Sequence, residues 1–215
     1  MQGTTVFIFY SFFHKQPEEA DFSRLLNQLP GPARNQVMKF KRWEDRQRSL
    51  LGKLLLATGL KKLGLGTYRL EELRHTDLSR PYFDNLIDFN ISHSGGYVMC
   101  AMTLNNKLGI DVEEIKDIQL TGFESQFSPA EWLAILQTEN ALYSFYTLWT
   151  RKEAFLKAIG TGITIPLNEI DALGEKIHWN GKEWFLYPVQ LDQNYVAHLA
   201  TNLEYPEIVL EKVAF

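Results

Sequence analysis

The segment Trp149–Ile163 has the period of an α-helix, and it constrains the fold more than any other stretch of the sequence. Gly160 stands where a helix terminator is expected. Trp149, Glu153 and Lys157 recur at i, i+4 and i+8, so an aromatic, an acid and a base share one helix face. Taken alone, this pattern is also typical of a surface helix with one Glu–Lys pair, worth about 0.2–0.5 kcal/mol.

A second stretch, Gly109–Glu113, has the pattern of a β-strand and carries two carboxylates two positions apart. Side chains alternate in direction along a strand, so Asp111 and Glu113 point together to the side opposite the core. Their repulsion would raise the pKa of one carboxyl unless a cation lies between them, which favours a divalent ion such as Mg²⁺. Glu153 would supply a third carboxylate. The alternative is that both acids are solvent-facing positions of a half-exposed strand.

Composition limits the possible partners and the setting of the chain. The 215 residues are 45% apolar and carry a net charge of −4, so the chain can bury a core but lacks the basic field of nucleic-acid-binding proteins. The single Cys100 excludes an intramolecular disulfide, and the scarcity of cysteine argues against a structural zinc site. There is no signal-peptide pattern, and the apolar runs are too short for a membrane span. We expect a cytoplasmic protein with no nucleic-acid or membrane partner.

The remaining elements alternate between strand and helix patterns in two halves. Strands are expected over 5–13, 89–92, 97–104, 108–113, 176–179, 183–188, 195–201 and 208–215, and helices over 34–63, from Ser128 onward with a capping box, and over 141–159. Residues 97–102 resemble residues 195–200, which suggests two similar α+β units. Asn105–Lys107 is the best turn between them, so the predicted subdomains are 1–105 and 106–215, and two halves in one chain favour a monomer.

A loop rich in Ser, His and Gly follows the strand at residue 89. Ser92 and His93 suit phosphate binding through an imidazole donor and backbone N–H groups, whereas hairpin geometry with an exposed histidine is the alternative. The absence of a Gly-x-Ser-x-Gly motif argues against a serine hydrolase. Basic residues from separate segments, namely Arg48, Arg80, Lys152 and Lys157, are placed as they would be if they converged on one polyanion.

The combination of Gly109–Glu113 with Trp149–Lys157 resembles the motif pair of the 4′-phosphopantetheinyl transferases. Phe89–Ser94 and Arg80-Pro81 match two further elements of that family in the right order. The form of the family that activates surfactin synthetase is similar in length and is a pseudo-dimer of two α+β halves. The resemblance therefore implies the same α+β pseudo-dimer here.

The resemblance also implies two groups of site residues. The Mg²⁺ ligands would be Asp111, Glu113 and Glu153. The residues that contact coenzyme A would be Arg48, Ser49, Arg80, Ser92, His93, Lys152 and Lys157. The family often has two lysines ahead of the helix that carries Arg48. This chain has Ala33 and Gln36 there, with Arg34 between them, so Arg34 or Arg48 is the candidate for the missing charge.

The implied reaction is Mg²⁺-dependent transfer of 4′-phosphopantetheine from coenzyme A to a serine of an apo acyl or peptidyl carrier protein, with release of adenosine 3′,5′-bisphosphate. Asp111, Glu153 and Lys157 would be catalytic, with Glu153 accepting the serine proton directly or through a water on the metal. The acidic, helical carrier would dock near residues 114–140, where Phe123 and Phe127 are either exposed contacts or core residues. The alternatives are a Mg²⁺-dependent phosphodiesterase and a non-catalytic coenzyme A-binding module.

Overall fold

Two four-stranded sheets organise residues 4–215, the part of the chain that this computed structural model describes. The strands are β1 (Thr5–Phe12), β2 (Arg74–His75), β3 (Pro81–Tyr82), β4 (Ile87–Ser94), β5 (Tyr97–Leu104), β6 (Leu108–Glu114), β7 (Lys176–Trp179), β8 (Lys182–Pro188), β9 (Tyr195–Thr201) and β10 (Glu207–Lys212). The α-helices are α1 (Glu19–Leu26), α2 (Gly31–Met38), α3 (Trp43–Lys62), α4 (Pro129–Leu136) and α5 (Ala141–Ile159). Strands β2 and β3 form a separate two-stranded ribbon.

The two sheets repeat one connectivity. The first has the order β10-β1-β5-β4 and the second the order β6-β9-β8-β7. In both, the opening strand pairs antiparallel with the second strand of a later hairpin, so β1 pairs with β5 as β6 pairs with β9. The resemblance between residues 97–102 and 195–200 thus falls on equivalent strands. These features confirm the predicted α+β class with two subdomains.

Each sheet is covered by a long helix that buries its apolar face. Helix α3 packs Leu51 and Leu55 against Phe9 and Met102 of the first sheet. Helix α5 packs Phe155 against the second sheet. The last strand, β10, returns to the first sheet and pairs parallel with β1. The subdomain boundary at residue 105 stays a prediction, and residues 1–3 of the first predicted subdomain lie outside the described part.

The single helix expected over 34–63 is wrong, because the chain forms α2 and α3 with a break at residues 39–42. A turn there folds α2 back, so that Val37 joins Leu50 and Leu54 in one buried cluster. One straight helix would carry Val37 far from those residues. Helix α1 contributes Leu25 to the same cluster and lies in a region for which no element was predicted.

The predicted helix ends around the candidate site are confirmed. Ser128 caps α4, with a reciprocal capping box to Glu131, and α5 ends at Gly160 in a left-handed conformation with φ of 72°. Phe127 is buried and Phe123 packs against Phe145, so both belong to the core. Within residues 4–215, no helix combines the length and the apolar character needed to cross a bilayer.

Candidate active site

The two sheets meet where β4 runs beside β6, and side chains of β4 bind the backbone of β6. Every second residue of β4 accepts a hydrogen bond from a backbone N–H of β6. The pairs are Leu108 N to Asp88 Oδ2 at 2.9 Å, Ile110 N to Asn90 Oδ1 at 2.9 Å, Val112 N to Ser92 Oγ at 3.3 Å and Glu114 N to Ser94 Oγ at 3.1 Å. Among residues 4–215, the edge strand β6 pairs through its backbone with β9 alone, so the polar ladder satisfies its other side and fixes the register between the two halves.

The last two serines of the ladder also orient the acids of β6. Ser92 donates to Asp111 Oδ1 at 3.0 Å, and Ser94 donates to Glu113 Oε2 at 2.7 Å. Both hydrogen bonds form because side chains on one face of a strand recur every two residues, and the two neighbouring strands share this spacing. The N-terminal half therefore holds the carboxylates that the C-terminal half carries.

Helix α5 reaches β6 closely because Gly109 has no side chain. A Cβ on Gly109 would lie 2.1 Å from the carbonyl oxygen of Ala154 and 2.3 Å from the backbone nitrogen of Ala158. This contact places the helix face that bears Glu153 and Lys157 over the acids of the strand. The ammonium of Lys157 lies 2.5 Å from Asp111 Oδ1 and donates to Ser92 Oγ at 3.0 Å. Any larger residue at position 109 would push the helix off the strand.

These side chains line one open pocket of about 270 Å³, which we call the carboxylate pocket. Its walls are Ile91, Ser92, His93, Asp111, Glu113, Trp149, Glu153 and Lys157. The pattern Trp149, Glu153 and Lys157 thus forms one wall, and the pair Asp111 and Glu113 forms another. The helix face and the strand that the sequence singled out separately are brought together.

The charges in the carboxylate pocket are only partly compensated. Burial raises the pKa of Glu113, and the negative Asp111 raises it further, whereas the hydrogen bond from Ser94 lowers it. Burial, and then the charge of Asp111, likewise raise the pKa of Glu153. His93 stands exposed at the rim, where desolvation by the pocket wall and the cations of Arg48 and Lys157 lower its pKa.

The donor set of the pocket fits Mg²⁺ as an open site. Asp111 lines the pocket, and its Oδ2 oxygen is buried with no hydrogen-bond partner among residues 4–215. Within the same residues, no group of three or more His, Cys, Asp or Glu side chains is arranged to hold a metal ion unaided. Mg²⁺ does not require such a cage, since it commonly takes one or two carboxylates together with waters and phosphate oxygens.

Comparison with known proteins gives the family. Residues 14–105 match the family model described as 4′-phosphopantetheinyl transferase, N-terminal, and residues 107–199 match that of the 4′-phosphopantetheinyl transferase superfamily. The 4′-phosphopantetheinyl transferase gsp of Aneurinibacillus migulanus is 35% identical over 162 residues, which cover 73% of this chain and 68% of the relative. The 4′-phosphopantetheinyl transferase Sfp of Bacillus subtilis strain 168 is 31% identical over 80% of this chain and 78% of its own. The relative ffp of Bacillus subtilis is 29% identical over 92% of this chain and 94% of its own. The chain belongs to the 4′-phosphopantetheinyl transferase superfamily.

Two residues assigned to coenzyme A from the likeness to this family do not reach the pocket. Lys152 is fully buried, with its ammonium 2.6 Å from Glu131 Oε2 and 2.8 Å from the carbonyl oxygen of Leu167. The assignment of Lys152 to coenzyme A is corrected, because this ammonium is enclosed by protein and faces α4.

Arg80 is the second residue that does not line the carboxylate pocket, and its assignment to the nucleotide end of coenzyme A stays a prediction. Its guanidinium donates to Asp88 at 2.8 Å, to the carbonyl oxygens of Leu108 and Ala158 at 3.0 and 2.9 Å, and to that of Lys157. Carbonyls at the end of α5 carry partial negative charge, so Arg80 closes that helix and ties it to the first sheet. Its side chain borders a separate cavity of about 570 Å³ rather than the carboxylate pocket.

Arg48 and Ser49, the other two residues assigned through the family, lie on α3 beside the pocket without lining it. Arg48 donates to the carbonyl oxygen of Gly95 at 2.8 and 3.1 Å and pairs with Asp45 at 3.0 Å, which holds the turn after His93. Ser49 Oγ accepts from Lys53 Nζ at 3.1 Å. The coenzyme A contacts of both residues stay predictions.

Ser94 and Asn90 are site residues that sequence reasoning missed. No sequence motif assigns either residue to a ligand, yet both belong to the ladder between β4 and β6. The available signal was the alternation of the polar residues 88, 90 and 92 with the apolar residues 87, 89 and 91, continued by Ser94. Such alternation in a strand whose apolar residues are buried indicates a polar partner along one edge.

Proposed function

We propose that this chain transfers the 4′-phosphopantetheine group of coenzyme A to a serine of an apo acyl or peptidyl carrier protein. The reaction would depend on Mg²⁺ and release adenosine 3′,5′-bisphosphate. Membership of the 4′-phosphopantetheinyl transferase superfamily supports the reaction class. The names of the relatives support transfer of phosphopantetheine, and the local chemistry supports the finer assignments.

The observation that carries the proposal is the Oδ2 oxygen of Asp111, which is buried and has no hydrogen-bond partner among residues 4–215, whereas Oδ1 of the same carboxylate pairs with Lys157 at 2.5 Å. Burial raises the pKa values of the two neighbouring carboxyls, Glu113 and Glu153. A buried carboxylate oxygen left unpaired costs free energy unless a ligand satisfies it. A cation that also binds a diphosphate would satisfy this group and neutralise the substrate in one step.

Asp111, Glu113 and Glu153 would hold Mg²⁺, which when bound would neutralise charge on the diphosphate of coenzyme A. The side chain of Lys157 is 29% exposed, and its ammonium, which pairs with Asp111, would also contact a phosphate bound in the carboxylate pocket. His93 at the rim offers a second donor to phosphate oxygens. Both residues offset charge that grows on the bridging oxygen as the bond to it breaks.

Glu153 is the proposed general base. Its carboxylate lines the carboxylate pocket and has no hydrogen bond or ion pair among residues 4–215, which leaves it free to accept a hydroxyl proton. The carrier serine oxygen forms a bond to the phosphorus that bears pantetheine, and the bond from that phosphorus to the bridging oxygen breaks. The serine proton goes to Glu153, and the bridging oxygen leaves with adenosine 3′,5′-bisphosphate. General-base help of this kind is worth about 10²–10⁴-fold in rate.

The nucleotide end of coenzyme A is proposed to occupy a neighbouring cavity of about 210 Å³, which we call the α3 pocket. Pro81, Phe89 and Ile91 give it an apolar wall suited to an adenine ring, and Ile91 also lines the carboxylate pocket. The shared residue makes the two cavities neighbours. Pro81 thereby supports the proposed location of the nucleotide near Arg80-Pro81, although the Arg80 side chain faces elsewhere.

The proposed partner is an acidic, helical carrier protein that docks near residues 114–140. Leu133 and Leu136 are 54% and 56% exposed on α4, and they replace Phe123 and Phe127 as the apolar contacts in this proposal. We further propose a monomer in the reducing cytoplasm, consistent with the lone, fully buried Cys100.

The decisive experiment incubates the protein with coenzyme A, Mg²⁺ and several apo carrier proteins and then weighs each carrier by mass spectrometry. A transferase adds the mass of one phosphopantetheine group to at least one carrier. Release of adenosine bisphosphate without any mass gain would instead indicate the phosphodiesterase. Binding of coenzyme A without either product would indicate a binding module.

The matched variant is Asp111→Ala. It should abolish transfer while the far-ultraviolet circular dichroism and the unfolding transition stay close to those of the parent protein. Full activity in a folded Asp111→Ala protein would contradict the metal assignment.

A further inference from the structure

The α3 pocket contains a lysine that no part of the proposed reaction uses. Lys53 of α3 lines it together with Ala33 and Gln36 of α2, and with Phe89 and Ile91 of β4. Most of the lining is apolar, with Glu71 and His75 exposed at the mouth. A lysine in such surroundings needs an explanation, because ammonium groups are seldom drawn into apolar cavities without an anionic partner.

Close packing of α3 on β4 fixes the position of Lys53. A Cβ on Gly52 would lie 3.1 Å from Cγ2 of Ile91, so the absent side chain lets the helix backbone approach the strand. Lys53 follows immediately in the chain and enters the cavity beside Ile91, the residue that also borders the carboxylate pocket. Its side chain therefore borders the cavity that is proposed for the nucleotide.

Lys53 has a hydrogen bond but no counter-charge. Its Nζ donates to Ser49 Oγ at 3.1 Å, and no carboxylate of residues 4–215 forms an ion pair with it within 4.0 Å. Burial lowers its pKa, which reflects the cost of keeping the ammonium charged in this setting. A phosphate bound in the cavity would supply the missing charge through a charge-assisted hydrogen bond.

The other cations near this cavity are already engaged. Arg34 donates to Asn27 Oδ1 at 3.1 Å, and Arg48 holds Gly95 and Asp45. Neither residue lines the α3 pocket. Arg34 and Arg48 were the candidates for the charge missing at Ala33 and Gln36. Neither arginine lines the cavity that these two positions line, whereas Lys53 does.

We propose that Lys53 binds the phosphate on the ribose of coenzyme A, supplying from α3 the charge that α2 lacks at positions 33 and 36. This inference rests on the proposed function. Coenzyme A carries a diphosphate, which is assigned to Lys157, and a separate 3′-phosphate, whose side the likeness to the family gives to Ser92 and His93. That side lacks cations at Ala33 and Gln36, and Lys53 with its supporting Ser49 would supply one.

The test measures binding of two probes, coenzyme A and 3′-dephospho-coenzyme A, to the full chain by calorimetry. The unmodified protein should bind coenzyme A the more tightly. Lys53→Gln should weaken coenzyme A about 10–100-fold, the range expected for one hydrogen bond to a charged group. The same variant should leave 3′-dephospho-coenzyme A within about twofold, since that ligand lacks the phosphate in question. Lys61→Gln, an exposed lysine of the same helix, should change neither affinity.

A second variant keeps the proposal falsifiable if Lys53→Gln alters the pocket. Adding Gln36→Lys to Lys53→Gln returns a cation to the opposite wall and should restore preference for coenzyme A. Equal weakening of both ligands without rescue would overturn the role of Lys53, and so would unchanged affinities in a protein that still transfers phosphopantetheine. A parent protein that binds neither ligand would overturn the proposed function itself, together with this inference.

Discussion

Lys152 and Glu153 are neighbours on α5, yet their charges have opposite surroundings. Lys152 is fully buried, and its ammonium contacts Glu131 at 2.6 Å and the carbonyl oxygen of Leu167 at 2.8 Å. Glu131 in turn accepts hydrogen bonds from the backbone of Ser128 and Ala172 at 2.8 and 3.0 Å. Glu153 lines the carboxylate pocket, and no hydrogen bond or ion pair to its side chain occurs among residues 4–215.

This difference distinguishes polar groups that are bonded within the protein from polar groups that are open to a ligand, although both kinds lie on one helix. The buried side of α5 has two separate hydrogen-bonded pairs, Lys152 with Glu131 and Thr150 with His198, which together we call the interior network. Most of their donors and acceptors have a protein partner, so binding a ligand there would break existing bonds. In the carboxylate pocket, an orphan oxygen on Asp111 and a raised pKa at Glu153 indicate groups that gain from a ligand. Satisfaction of hydrogen bonds therefore distinguishes the two clusters better than burial or charge does.

The largest expected effect tests the interior network. Lys152→Met removes one partner of a buried ion pair and leaves Glu131 charged in the core, which should lower the free energy of unfolding by about 3–5 kcal/mol. Urea denaturation followed by circular dichroism measures this loss. Glu153→Gln, one residue away, should leave the free energy of unfolding unchanged or slightly raised, because the fold disfavours the ionised Glu153.

A double variant, Glu131→Leu with Lys152→Met, provides the control. Replacing a buried pair by apolar residues is often neutral, so much of the lost stability should return. Similar losses of unfolding free energy in Lys152→Met and Glu153→Gln would contradict the conclusion that only Lys152 is bonded within the protein core.

The next effect concerns how the first half of the chain positions the acids of the second half that are proposed to bind Mg²⁺. Ser94→Ala removes the 2.7 Å hydrogen bond to Glu113 and should weaken Mg²⁺ or Mn²⁺ binding about 10–100-fold, as loss of supporting hydrogen bonds to ligands commonly does. Electron paramagnetic resonance of free Mn²⁺ measures the affinity without any assay of transfer.

Asn90→Ala is the matched control for Ser94→Ala. It removes a neighbouring bond of the same ladder, to the backbone of Ile110, but touches no carboxylate. Metal affinity should change little in this variant, while the free energy of unfolding falls by about 1–3 kcal/mol for an unsatisfied N–H. Equal losses of metal affinity in both variants would mean that the ladder acts only through overall stability.

The strand and helix that carry the site were predictable because local periodicity decides them. Asp111 and Glu113 share a strand face by alternation, and Glu153 and Lys157 share a helix face by one turn. The same periodicity cannot tell that Lys152 faces α4, because this depends on Glu131 arriving from a distant helix. The periodicity likewise does not reveal the acceptors of Arg80, which belong to α5 and β6. Contacts between residues that are remote in sequence are therefore the part of the site that local patterns do not predict.

The smallest expected effect is a pH dependence of stability that originates in the interior network. Thr150 donates to the carbonyl oxygen of Tyr146, so it accepts from Nδ1 of His198 at 2.8 Å, and Nε2 of that ring faces Arg151. Burial, and then the charge of Arg151, lower the pKa of His198 from 6.5 to about 3. The folded protein therefore keeps His198 neutral at pH values where the unfolded chain binds a proton, and stability falls as pH drops below 6.5 toward 3. Between pH 7.5 and 5.5 this residue should cost on the order of 1 kcal/mol of unfolding free energy.

Urea denaturation across that interval should show a shallower fall of the unfolding free energy for His198→Asn, which cannot take up the proton, than for the parent protein. His14→Asn, at an exposed histidine, should keep the parental slope. Parallel curves for the parent and His198→Asn would mean that His198 does not stay neutral in the fold, and that the interior network is less closed to protons than its hydrogen bonds indicate.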